Sequence, residues 1–104
     1  MDNKKRENLK KRGWKVGTVQ NFLELSDNEM RYIEYRVALG KMLRERRKAM
    51  GYSQSVLAKE IGSSQSRVAK MEVGDNSVSI DLILKSLFHI GISNKEIGDC
   101  VASL

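Results

Sequence analysis

The sequence predicts an all-α fold, a compact bundle of about five helices with an N-terminal extension. Three observations predict it. The chain has no proline, strand-like alternation is scarce, and apolar residues recur three and four positions apart behind hydroxyl caps. At 104 residues there is room for one domain with one modest core. The expected division is a basic tail and extension with a short helix over residues 1–28, then a helical domain with an extended first helix over 29–104.

Residues 1–12, MDNKKRENLKKR, carry one apolar side chain beyond Met1. Such a stretch is either a solvated tail or an arm that orders on a phosphate backbone. Gly13-Trp14-Lys15-Val16-Gly17 reads as extended or irregular. Trp14, the only tryptophan, either folds back over the core or anchors a partner. Thr18 caps a short helix with Val19, Phe22 and Leu23 on one face.

Ser26-Asp27-Asn28-Glu29 has the form of a capping box and opens the next helix. Nothing stops that helix before Gly51 except Gly40, which costs about 1 kcal/mol relative to alanine but permits close packing. Its expected inward stripe is Ile33, Val37, Gly40 and Leu43, flanked by Leu39 and Met50.

The stretch from Ser53 to Gly74 organises the rest. Ser53 caps a helix bearing Val56, Leu57, Ala58 and Ile61, and Gly62 turns the chain. Ser63 or Ser64 caps a second helix through Glu72, with Val68 and Met71 on its inner side, and Gly74 ends it. A small residue, a glycine four positions on and a β-branched residue six after that is the spacing of a helix-turn-helix.

Asp75-Asn76-Ser77 is a turn cluster. Ser79 then caps a helix with Ile80, Ile83, Leu84, Leu87 and Phe88, apolar on two sides, and Gly91 closes it. Ser93-Asn94-Lys95-Glu96 repeats the capping-box form. The terminal helix carries Ile97, Cys100, Val101 and Leu104 on one side, to be docked on its own domain or on a second subunit.

The formal net charge of +6 is unevenly spread. Residues 1–15 carry seven basic and two acidic side chains, and 36–51 carry six and one, whereas 16–35 and 75–104 are net acidic. Positive charge beside a helix-turn-helix suits a nucleic-acid partner. One cysteine cannot form an internal disulfide, and no apolar run approaches the ~18 residues of a membrane span. With no secretory pattern at the N-terminus, a cytoplasmic protein is expected.

Enzyme chemistry has little to stand on. A single histidine and a single cysteine exclude a multi-histidine or zinc-cluster metal site, and no cofactor is expected. Gly62-Ser63-Ser64 lacks the preceding strand and second glycine of a nucleophile elbow, and no phosphate-binding glycine loop occurs. The exposed side of the second motif helix, in contrast, presents Ser64, Gln65, Ser66, Arg67 and Lys70. Glutamine, arginine and lysine near a helix N-terminus can address base edges in the major groove.

Ser53-Gln54, Leu57-Ala58, Gly62, Gln65, Val68 and Glu72-Gly74, preceded by Arg47 and Gly51, resemble the Cro/repressor-type (Xre) helix-turn-helix family over roughly residues 37–92. GWKVGT upstream, and SSQSRVAKME followed by SVSIDL, look like the narrower group of Xre antitoxins paired with RelE-fold toxins. The resemblance implies a dimeric repressor on a two-fold double-stranded DNA operator, with masking of a basic RelE-like toxin as a second task. A stand-alone repressor, or a basic module for RNA or ribosomal contacts, is the alternative.

By that resemblance Gln65, Ser66 and Lys70 match base-reading positions, while Ser64 and Arg67 meet either base or phosphate. Gln54 matches a phosphate-binding glutamine, and Arg47 and Glu72 match a structural ion pair. Arg44, Arg46 and Lys48 remain available for phosphates. Four of the six aromatic residues precede residue 37, three of them in or next to a net acidic stretch. Trp14, Phe22, Leu23, Tyr32 and Tyr35 are therefore candidate contacts to a protein partner, or else they thicken the core.

Overall fold

The computed structural model describes residues 26–104. The basic tail, Trp14, and the short helix expected from Thr18 with Phe22 and Leu23 lie outside the described residues. The chain divides into two units between Tyr32 and Ile33. Five helices and no strand occur among the described residues: α1 (Asp27–Ala49), α2 (Gln54–Glu60), α3 (Gln65–Glu72), α4 (Ile80–His89) and α5 (Asn94–Ala102). The all-α class follows.

The α1 helix opens on the expected capping box. Ser26 Oγ accepts from the Glu29 backbone N–H at 3.0 Å, and the Ser26 N–H donates to Glu29 Oε1 at 2.9 Å. The helix runs through Gly40 without a break and stops before Gly51, whose φ of +75° lies in the region that only glycine enters cheaply.

Its buried face differs from the expected stripe. Arg36, Leu39, Gly40, Leu43 and Arg47 are buried, whereas Val37 and Met50 are exposed and Ile33 is half-buried. The cause is a close backbone approach. A Cβ on Gly40 would overlap the Met71 carbonyl oxygen and press on the Glu72 carbonyl at the end of α3. Placing Gly40 there brings Arg36, Leu43 and Arg47, its helical neighbours four before and three and seven after, onto the same face. Val37 is turned aside, and its backbone flanks Gly74.

Four serines cap the later helices in the same way. Ser53, Ser64, Ser79 and Ser93 each accept a hydrogen bond from the backbone N–H three residues on. The helices enclose a core whose fully buried members are Leu43, Leu57, Val68, Met71, Ile83 and Leu87. In α4, Ile83 and Leu87 are fully buried and Ile80, Leu82 and Leu84 are half-buried against the core, whereas Phe88 is 55% exposed. Ser86 is buried in its place because its hydroxyl donates to the Leu82 carbonyl at 2.9 Å, which satisfies the polar group. α5 docks on its own domain, with Ile97, Cys100 and Val101 against the core and Leu104 exposed. No helix among the described residues is long and apolar enough to cross a membrane.

Candidate nucleic-acid interface

The turn between α2 and α3 is closed by two backbone bonds. Ser63 N–H donates to the Ala58 carbonyl at 2.8 Å and Gly62 N–H to the Lys59 carbonyl at 3.3 Å, with Gly62 at φ +67°. Ala58 and Val68 are buried where the two helices meet. Their packing fixes α3 with Val68, Met71 and Glu72 inward and Gln65, Ser66, Arg67 and Lys70 outward. Residues 43–85 match the helix-turn-helix family model. The matched segment holds all of α2 and α3, and it supports an Xre-like helix-turn-helix of the Cro/C1 type in a DNA-binding transcriptional regulator. No curated protein and no solved structure matches the chain.

The outer face of the helix-turn-helix is anchored to its interior by a continuous polar chain. Arg47 Nε donates to Glu72 Oε2 at 2.6 Å and Nη2 to Glu72 Oε1 at 3.1 Å, a two-pronged ion pair. The third prong, Nη1, donates to the Tyr52 carbonyl at 2.8 Å. Gln54 Nε2 donates to Glu72 Oε1 at 3.0 Å, and Gln65 Nε2 donates to Gln54 Oε1 at 2.6 Å. Glu72 and Arg47 are buried, Gln54 is half-buried and Gln65 is exposed. The chain therefore runs from the core to the first residue of α3.

The remaining positions singled out from the sequence fall in several places. Ser64 is the α3 cap, its Oγ accepting from the Arg67 N–H at 3.1 Å, which leaves its hydroxyl proton and one lone pair for other partners. Arg44 and Lys48 are exposed on α1. Arg46 is engaged elsewhere: its Nη2 donates to Glu96 Oε2 at 2.5 Å and its Nη1 to the Ile90 carbonyl at 3.4 Å, tying α1 to the start of α5. Tyr32 is exposed and Tyr35 half-buried. Trp14, Phe22 and Leu23 lie outside the described residues.

Sequence reasoning missed Arg36. It is buried, with Nε donating to the Gly74 carbonyl at 3.1 Å and Nη2 to Asn76 Oδ1 at 3.2 Å. It thereby holds the turn that ends α3. The available signal was its place four residues before Gly40, on the row that also holds Leu43 and Arg47.

Ionisation around the helix-turn-helix follows local bonds. Hydrogen bonds from the Ser77 hydroxyl and N–H hold the Asp75 carboxyl below its ordinary range, with Lys70 and Arg36 adding attraction. The Ser93 N–H, and then Arg46, hold Glu96 low. Burial, and then the nearby Glu45, push the Cys100 thiol up, so it is a poor nucleophile at neutral pH. Among the described residues no cluster of His, Cys, Asp and Glu is arranged to hold a metal ion.

Proposed function

We propose that the protein is a sequence-specific transcriptional regulator that reads base edges with the N-terminal half of α3. The observation that carries this reading is the hydrogen-bonded chain from Arg47 to Gln65, which holds an exposed amide at the start of the recognition helix. Gln65 keeps its Oε1 and one Nε2 proton for a ligand after serving Gln54. Acceptor and donor side by side match adenine N6 and N7 in the major groove. Gln54 retains a second Nε2 proton, which we assign to a backbone phosphate. Ser66, Arg67 and Lys70 complete the base-facing set, Ser64 lies at its edge, and Arg44 and Lys48 supply positive charge. We assign Arg46 to the fold, because its guanidinium is committed to Glu96 and Ile90.

Selection from duplex DNA randomised over about two helical turns tests the reading. A specific regulator enriches one motif, with paired half-sites if it acts as a dimer. Gln65→Ala then relaxes one position of each half-site and weakens binding by about 1–3 kcal/mol. Equal weakening on matched and mismatched sites would make Gln65 a phosphate anchor instead.

The narrower antitoxin role rests on the wording of GWKVGT, SSQSRVAKME and SVSIDL alone. Under it, the acidic and aromatic residues before position 37 mask a basic RelE-like toxin, and the complex represses its own operon from a cytoplasmic location. Deleting residues 1–25 would then abolish toxin neutralisation while residues 26–104 still bind DNA. Neutralisation by the truncated chain would rule out that segment as the toxin contact.

A further inference from the structure

We propose that Glu72 is a positioning residue for base choice: its buried carboxylate sets the sense of the Gln54 and Gln65 amides and so writes adenine over guanine into the recognition helix. The inference rests on the DNA-binding reading above and deepens it.

An amide has two nearly isosteric ends, one donating and one accepting, and an unconstrained glutamine can present either. A carboxylate has no such freedom, because when ionised it only accepts. Both oxygens of Glu72 already accept from the two prongs of Arg47, at 2.6 and 3.1 Å. The end of Gln54 that faces Glu72 Oε1 at 3.0 Å must therefore be its NH2 group. Gln54 Oε1 is then the end presented to Gln65, and it can only accept. Gln65 must turn its own NH2 group inward, which it does at 2.6 Å.

Two amides in series thus transmit the polarity of one buried charge to the protein surface. At the outer end, Gln65 shows an acceptor beside one remaining donor. Adenine answers that pair with its N6 amino group and N7. Guanine offers acceptors at both O6 and N7, so the Gln65 carbonyl oxygen would face an oxygen. If either link is cut, Gln65 can rotate its amide and donate to guanine equally well. Glu72 touches no base in this scheme and acts wholly through Gln54 and Gln65.

The experiment is selection from randomised duplex DNA, with the base read by Gln65 identified as the one position relaxed in Gln65→Ala. Wild type should prefer adenine over guanine there by about 5- to 150-fold, the equivalent of one good bidentate contact. Gln54→Met keeps the volume and the Arg47–Glu72 pair but cannot relay polarity. It should bring the two bases within about 2-fold at that position, with the preferences at every other position unchanged, whatever the overall loss of affinity. Glu72→Gln should do the same, since a neutral amide accepts or donates. If that variant does not fold, Gln54→Met decides alone. Retention of the adenine preference in Gln54→Met, or a guanine preference in wild type, overturns the proposal. Failure of wild type to enrich any motif overturns the DNA-binding reading itself, and this inference with it.

Discussion

Glu72→Ala should unfold the domain far below the temperature at which wild type melts. The Glu72 side chain is 1% exposed and that of Arg47 11%, so the ion pair is almost wholly removed from water. Truncation leaves the Arg47 guanidinium with the Tyr52 carbonyl but without either carboxylate oxygen. Breaking a buried pair on one side costs about 3–5 kcal/mol, and the slight access of water to Arg47 places this one near about 3 kcal/mol. For a domain of this size each kcal/mol moves the midpoint by roughly 4–8 °C, so the expected fall in Tm is about 12–24 °C. Thermal unfolding followed by far-ultraviolet circular dichroism measures it. A fall of under about 4 °C would refute the reasoning, because it would mean that water or another acceptor already serves Arg47. The complementary double variant Arg47→Met with Glu72→Leu removes both charges and should be more stable than Glu72→Ala alone, since no buried charge is left without a partner.

Three further outcomes are expected. Gly40→Ala drives a methyl group into the Met71 carbonyl, and overpacking of this kind costs about 1–3 kcal/mol, to be read as a lower urea midpoint. Arg36→Met keeps the buried stem but strips the donor from the Gly74 carbonyl, so stability should fall by about 1.5–3 kcal/mol in the same assay. Glu96 is held below its ordinary value of 4.5, so its stabilising contribution is present above that pH and is lost as pH falls through the folded value. The Tm difference between wild type and Glu96→Gln should accordingly be largest near neutrality and close in acid; a difference independent of pH would exclude the assignment.

Much of the local architecture was legible in the sequence because it is made by neighbours in the chain. Serine hydroxyls at Ser26, Ser53, Ser79 and Ser93 reach backbone donors three residues on, and a capping box needs only four residues to be recognised. Glycines at 51, 62, 74 and 91 take the positive φ that ends each of the first four helices, a property of the residue itself. The division into short helices, and the helix-turn-helix spacing that supports α2 and α3, follow from those marks together with apolar periodicity.

What the sequence left undecided were choices that depend on partners far along the chain. Periodicity says which residues of α1 share a face, but two adjacent faces were nearly equivalent in apolar content. Contact of Gly40 with the carbonyls ending α3 chose between them, burying Arg36 and Arg47 and exposing Val37. The acceptors that make those arginines tolerable lie 38 and 25 residues away, at Gly74 and Glu72. Arg46 was similarly engaged by Glu96, 50 residues on, in an ion pair at the surface of the fold. The sense of the Gln54 and Gln65 amides belongs to the same class. Composition and spacing place two glutamines at two helix starts, but only packing α3 against α1 and α2 brings a buried carboxylate within reach to orient them. Short-range hydrogen bonds make the elements, whereas the buried charges find their partners only once the helices have met.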